Sequence, residues 1–279
     1  IVFVDSEISN PNIDATLIEP LITPKTKAII VVHYAGIACD MDLITQIAHK
    51  HKLFLIEDAA QAIDSFYKGK PLGTFGHFAA FSFHETKNII SGEGGMLVIN
   101  DLSYVERAEI IREKGTNRSK FFRGEVDKYG WVDIGSSFLP SEIIAAFLFA
   151  QLEHLEEIQK KRKEIWHEYY NDLKILVAKD KITLANIPDY ASNNGHMFYM
   201  LCNSAQERTM LIAYLKSLEI LPTFHYLSLH KSPYFNDSVA YLPNSDRYTD
   251  CLVRLPLYYE LSMQELKQIT SAILNFYNV

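Results

Sequence analysis

Two short stretches hold the residue types that do chemistry. Glu57-Asp58-Ala59-Ala60-Gln61 directly follows the apolar run Leu53–Ile56. Ligands of open α/β sheets collect at the carboxyl ends of strands, which is where Asp58 falls. The same aspartate fits equally well as a helix N-cap. The second stretch, Phe81-Ser82-Phe83-His84-Glu85-Thr86-Lys87-Asn88, follows another apolar run, and Gly92-Glu93-Gly94-Gly95 comes next. A lysine just past a buried strand is partly desolvated, which favours the neutral amine that attacks carbonyl carbon and forms a Schiff base. The bland reading of Lys87 is a solvated surface lysine, the usual fate of lysines in loops. The glycine run is not a dinucleotide fingerprint, because its spacing is wrong and a strand rather than a helix follows it.

Taken together the two stretches say more. An aspartate at one strand end, a glutamine three residues on, then a serine and a lysine at a later strand end are what pyridoxal phosphate (PLP) requires. That cofactor needs an anion beside its ring nitrogen, polar groups near its ring oxygen and phosphate, and a lysine amine. The ordered segments EDAAQA (Glu57–Ala62), YKGKPLGTFGH (Tyr67–His77), FSFHETKN (Phe81–Asn88) and GEGG (Gly92–Gly95) resemble the DegT/DnrJ/StrS sugar-nucleotide aminotransferases, a family of fold-type-I PLP enzymes. Further segments extend the resemblance over essentially the whole chain: Val32–Asp42, Ile111–Gly124, Asp127–Phe138, His196–Met200 and Leu255–Ser262.

The resemblance implies a role for each matching residue. Lys87 would hold PLP covalently and, once released, shuttle protons. Asp58 would pair with the pyridine nitrogen, Gln61 would lie against the ring near its oxygen, and Ser82 would donate to the phosphate. The implied reaction moves an amino group, usually from glutamate, to the 4-keto group of a dTDP-4-keto-6-deoxyhexose. Dehydratases of the family carry histidine in place of the lysine, so Lys87 argues against sugar dehydration. A non-catalytic chain that only packs against a partner is the reading from another class. Relatives place an asparagine within the segment matching Gly135–Pro140, reaching the neighbouring subunit's phosphate; here Ser136 or Ser137 stands in that region. The family's first phosphate-binding loop, a helix N-terminus, is expected upstream of Ile1, so the N-terminal part of the family is expected to be missing from this chain.

Other polar residues have weaker signals. His84 stands three residues before Lys87 and can either line the site or serve the loop. His33 follows a strand end, where it can face a pocket or pin a turn. Arg118, with Arg112 and Arg123, can meet a nucleotide diphosphate through guanidinium forks, or stay solvated or at a subunit interface. The aromatic residues Phe121, Phe122, Tyr129 and Trp131 fit packing of a dimer better than stacking of a base. A homodimer with Gly115–Ser137 at or near its interface is therefore expected.

Positioning these residues requires an α/β frame. The runs Ile1–Val4, Ala28–Val32, Leu53–Ile56, Phe78–Phe83 and Met96–Ile99 are continuously apolar, as in strands of a mostly parallel sheet buried on both faces. Met41–Lys52 carries Met41, Ile44, Ile47 and Ala48 at helical spacing behind Asp40, a fitting N-cap. Strand, helix and strand of these lengths form a βαβ unit. Ser103–Lys114 reads as a helix and Ser141–Asp172 as one long helix. Strands over Ile182–Ile187, His196–Cys202 and Leu221–Tyr226, with helices over Ala205–Leu218 and Ser262–Phe276, complete an α+β block. The expected fold is a fold-type-I PLP-transferase large domain over residues 1–160 and a smaller C-terminal α+β domain over 161–279.

Composition sets the outer bounds. The 279 residues are 48% hydrophobic and 22% charged, enough for a real core without disulfides or metal. Lys+Arg number 27 against 34 Asp+Glu, a net charge of -7 with no basic stripe, which speaks against nucleic acid. No run approaches the length of a membrane span. Cys39, Cys202 and Cys251 are odd in number and far apart, as expected of a reducing, cytoplasmic compartment.

Overall fold

The computed structural model describes residues 1–235 and 240–279. After an irregular start come β1 (Ala28–Val32), α1 (Met41–Lys50), β2 (Phe54–Asp58), a small hairpin of β3 (Phe66–Tyr67) and β4 (Lys70–Pro71), β5 (Phe78–Ser82) and β6 (Gly95–Ile99). Then follow α2 (Val105–Arg112), α3 (Arg118–Phe122), α4 (Glu142–Glu153) and α5 (Leu155–Ala178). The last part holds β7 (Ile182–Leu184), β8 (Phe198–Cys202), α6 (Ala205–Ser217), β9 (Thr223–Phe224), α7 (Pro243–Cys251), β10 (Leu252–Leu255) and α8 (Met263–Phe276).

The first sheet has the order β1-β2-β5-β6. β1, β2 and β5 run parallel, and β6 returns antiparallel to β5. α1 makes the crossover from β1 to β2. Asp40 caps it, accepting from the Leu43 amide, and Met41, Ile44, Ile47 and Ala48 are buried against Ile29, Val31 and Leu55. Only one sheet face is covered in this chain, contrary to the expectation from the continuous apolar runs. Ile30, Val32 and Phe54 on the other face are exposed.

The second sheet, β7-β8-β10-β9, is wholly antiparallel. β8 is buried at all five positions. Its core joins Phe198 and Met200 to Leu173 and Leu176 of α5, Leu211 of α6 and Ile273 of α8. α8 starts with a reciprocal capping box between Ser262 and Glu265, which satisfies two otherwise orphaned amides.

Two expectations need correction. Ile1–Val4 forms no strand. Asp5 instead ties this segment to the far end of the chain, accepting from the Asn244 and Ser245 amides and so capping α7 from outside. Burial works to raise the Asp5 pKa, but these donors outweigh it and hold the carboxyl below its ordinary value. The long helix over Ser141–Asp172 is two helices that part at His154. Residue 160 lies within α5, whose first turns pack Ile158 on Phe83 and Ile89 while its later turns join the second core.

Candidate active site at the strand ends

The register fixes the first two candidates. Asp58 pairs with Ala80 on the adjacent parallel strand, and Ser82 lies two residues further along that strand. Both therefore stand at the carboxyl edge of neighbouring strands, the edge where parallel sheets bind ligands. The Asp58 carboxylate accepts only the Ala60 amide at 3.0 Å among the described residues. Gln61 accepts the Ala35 amide at 2.6 Å through its side-chain oxygen, which fixes the amide orientation and leaves its NH2 free to donate. The Ser82 hydroxyl accepts from the His84 amide at 3.3 Å.

Lys87 sits in the loop between β5 and β6, its own amide donating to the His84 carbonyl at 2.9 Å. It is half-buried, and its side-chain amine has no hydrogen bond or ion pair among the described residues. The loop around it is anchored by its neighbour. Asn88 is buried and donates to Gln159 Oε1 at 2.8 Å and to the Asn194 carbonyl at 2.9 Å. Its oxygen therefore accepts the Nδ1 proton of His196 at 2.7 Å. Burial, then the charges of Arg162, Lys87 and Arg254, push the His196 pKa well below the ordinary value. A neutral imidazole that keeps its proton on Nδ1 matches that bond.

The other candidates are distributed differently. His84 accepts the Thr86 amide at 3.2 Å on Nδ1 and turns Nε2 toward Glu93 at 3.7 Å, so it braces the lysine loop. His33, read as facing a pocket or pinning a turn, is sealed in the core with no exposed surface. Its Nδ1 accepts the Cys39 amide at 3.3 Å, so Nε2 carries the proton given to Glu57 at 3.1 Å. Both ring nitrogens are thus used, and none is left for a ligand. Arg118 is exposed on α3, over the rings of Phe122 and Tyr129 at 5.1 and 6.0 Å, with no hydrogen bond or ion pair to the strand-end residues. Arg123 spends its fork on Glu109 and Glu125.

Glu57 is the residue that sequence reasoning undervalued. Its buried carboxylate accepts the amides of Gly73, Phe75 and Gly76, each at 2.7 Å, besides the His33 proton. Burial works to raise its pKa, but His33 and the glycine amides prevail and lower it. Gly76 permits the arrangement, since a Cβ there would meet the Leu55 carbonyl oxygen at 2.5 Å. Glu57 thereby ties β2 to the loop before β5 and sets Asp58, the next residue, in its place. Gly36 allows a similar close approach, with φ +76° and the Asn194 side chain where a Cβ would stand. A second group also escaped notice: Tyr34, buried after β1, meets His225 Nδ1 at 2.9 Å, and Arg254 lies beside both. Only the motif-like spelling of Val32–Asp42 and Leu255–Ser262 hinted at this group.

The same architecture is known. The chain superposes on the Helicobacter pylori aminotransferase PseC, of pseudoaminic acid biosynthesis, with a TM-score of 0.91 at 25% identity, covering 99% of this chain and 73% of that one. A Streptococcus pneumoniae sugar aminotransferase in its PMP form gives 0.88 at 25% identity, over 99% and 76%. In sequence the chain is 33% identical over 280 residues to GDP-perosamine synthase of Escherichia coli O157:H7, covering 99% of this chain and 73% of the relative. It is 31% identical over 289 residues to UDP-4-amino-4-deoxy-L-arabinose--oxoglutarate aminotransferase of Shewanella sediminis, over 98% and 73%. Residues 1–274 match the DegT/DnrJ/EryC1/StrS aminotransferase family, and the chain belongs to that family of PLP-dependent sugar aminotransferases.

Proposed function

We propose that this chain transfers an amino group, with PLP held on Lys87, from glutamate to the 4-keto group of a dTDP-4-keto-6-deoxyhexose. The observation that carries the cofactor assignment is the half-buried Lys87 amine, unpartnered among the described residues, in the loop that follows the Asp58 and Ser82 strand ends. The residues present fit such a group. Among the described residues Asp58 keeps one carboxylate oxygen unused, the Gln61 NH2 is free, and Ser82 uses its hydroxyl only to accept. When bound, PLP would supply an electron sink for the carbon that loses or gains the amine.

The chain's own residues then have separate tasks. Asp58 would hold a proton on the ring nitrogen through a charge-assisted bond, about twice as strong as a neutral one. Gln61 would donate to the ring oxygen, and Ser82 to the phosphate. Lys87, within reach of the reacting carbon, would take a proton from it and return it elsewhere. Residues 1–160 would carry the cofactor, and 161–279 would close over the substrate. The dTDP-sugar assignment rests on the likeness of Ile111–Gly124, Asp127–Phe138 and Leu255–Ser262 to dTDP-4-amino-4,6-dideoxygalactose transaminase, an enzyme of cell-surface polysaccharide synthesis such as enterobacterial common antigen and lipopolysaccharide.

A homodimer would fit the same reading. Phe122, Trp131, Ile134, Phe138 and Ile143 are exposed side by side in sequence from α3 to α4, and α4 has no buried residue. Apolar surface of this extent calls for a partner, and a second copy would cover it. Among the described residues no helix is long and apolar enough to cross a membrane, and no side-chain cluster suits a metal ion. The test is amino transfer by the PLP-loaded chain to dTDP-, UDP- and GDP-linked 4-keto-6-deoxyhexoses, with product amino sugars weighed by mass spectrometry. The expected result is a preference for the dTDP sugar with glutamate as donor. Preference for another nucleotide would overturn the substrate assignment, and failure to bind PLP would overturn the cofactor assignment.

A further inference from the structure

The Lys87 amine has no hydrogen bond or ion pair among the described residues, so its position must come from its loop. Within the loop the Glu85 amide donates to the Gly92 carbonyl at 3.0 Å and the Ser91 amide to the Phe83 carbonyl at 2.7 Å. These bonds give the loop a shape but do not set it against Gln61, which lies in the turn after β2. Ile89 packs on Ile158 of α5, a contact that holds the loop down without choosing a direction. The directional link is the side chain of Asn88, the residue after Lys87.

That link ends in the turn before β8. Asn88 gives one N–H to the Asn194 carbonyl and the other to Gln159 Oε1, and its oxygen takes the Nδ1 proton of His196. The side chain of Asn194 holds the other partner of the site. Its NH2 donates to the carbonyls of Gln61 at 2.8 Å and Ile63 at 2.9 Å, and its oxygen accepts the His196 amide at 3.0 Å. Arg162 of α5 grips the same turn, with Nε on the Gly195 carbonyl at 3.1 Å and a terminal nitrogen on the His196 carbonyl at 2.7 Å. Asn88, Asn194 and His196 are all buried, away from competing water. A satisfied polar network of this kind specifies one arrangement, where apolar packing alone tolerates several.

We infer that Asn194 and His196 are positioning residues for amino transfer, setting Lys87 against Gln61 through the side chain of Asn88. The inference rests on the transaminase reading. Gln61 and Lys87 follow different strands of the first sheet, and one turn leading into the second sheet holds both segments. The second sheet therefore helps to build a site that lies on the first. Asn194 and His196 need touch neither substrate nor cofactor to matter, because a reacting group misplaced by about 1 Å can lose about 10²-fold in rate.

Two replacements of His196 separate positioning from packing. His196→Leu fills much of the space but brings no donor, and it leaves the Asn88 oxygen unpaired. His196→Asn fills less space but carries an N–H on the nitrogen bonded to Cγ, as Nδ1 is in the imidazole. In the PLP-loaded full chain, His196→Leu should lower kcat about 10- to 100-fold with KM for glutamate changed less than about threefold. His196→Asn should recover most of that loss although it packs less volume. Amide hydrogen exchange of the chain without PLP reads the same link apart from activity. In His196→Leu, residues 83–91 should exchange at least about tenfold faster while β1 and α8 keep their protection, and His196→Asn should restore the slower rate. The inference is overturned if both variants lose rate in step with their thermal midpoints, if the loss falls on KM, or if residues 83–91 exchange in His196→Leu as they do in wild type. Should His196→Leu fail to fold by circular dichroism, Asn88→Ala, which removes the same bond from the loop side, decides by the same exchange measurement. A wild-type chain without a PLP spectrum would defeat the transaminase reading, and faster exchange of residues 83–91 in His196→Leu would then leave the loop anchor standing.

Discussion

The strand-end region and the stretch from α3 to α4 solve opposite problems with the same kinds of residue. Around β2 and β5, charge is spent inward: Glu57 gathers three amides and the His33 proton, and Asn88 ties the lysine loop to Gln159, Asn194 and His196. What remains unspent there among the described residues includes the Lys87 amine, one Asp58 oxygen and the Gln61 NH2. From α3 to α4 the polar groups pair locally on the surface, as Arg123 does with Glu109 and Glu125, while the apolar side chains face outward. Ile143 is 83% exposed and Trp131 82%. On the proposed reading, the first region awaits a small polar ligand and the second a large apolar one.

The contrast can be broken most sharply at Lys87. Lys87→Ala should lower amino transfer by at least about 10³-fold, since it removes both the covalent anchor and the proton carrier. The thermal midpoint should barely move, because the amine has no partner among the described residues. Loss of folding along with activity would make Lys87 part of the scaffold instead.

Glu57→Gln should do the reverse. The amide would turn an NH2 toward backbone donors in a site with no exposed surface, costing about 3 kcal/mol in urea unfolding. An unchanged midpoint would show that the loop before β5 holds itself.

Acid should act next. His196 and His225 have folded-state pKa values below the ordinary 6.5. The unfolded chain therefore takes up protons that the native chain refuses, and stability should decline as pH falls below 6.5. Glu57, whose pKa is lowered from 4.5, adds a further loss as pH falls below that value. Denaturant midpoints measured from pH 7 to 4 check this. A flat profile would mean that neither imidazole is held neutral.

The smallest effect on stability is expected at Ile143→Ser. Exposed on α4 and matched in helix propensity, it should shift the monomer by less than about 0.5 kcal/mol. Sedimentation should nevertheless show weaker self-association. Unchanged association would place the dimer contact elsewhere.

Much of this frame was legible in the sequence for local reasons. Asp40 before an apolar periodicity is a cap that acts within one turn, and it forms as read. The strands β1, β2, β5 and β6 were visible because each is a compact apolar run. What was not legible depends on distance. β10 is four residues that become a strand only by pairing with β8 and β9, far away in the chain. His33 stayed open between a pocket and a turn because nothing local shows that the parallel register of Val31 with Glu57 would bring it to that carboxylate. The break at His154 has no proline or glycine to announce it; it separates a helix with no buried residue from one that docks through Ile158, Gln159 and Arg162. Asp58, Gln61, Ser82 and Lys87 were named from their place after strands, and the register sets Asp58 and Ser82 on one edge.

The central claim is that PLP is held by Lys87 and by no other lysine. Borohydride treatment of the PLP-loaded chain fixes the cofactor to whichever amine carries it, and proteolysis with mass spectrometry then locates it. The account predicts the cofactor's added mass on the peptide that contains Lys87, and none in Lys87→Ala. Label on a different lysine, or labelling that survives Lys87→Ala undiminished, would contradict it.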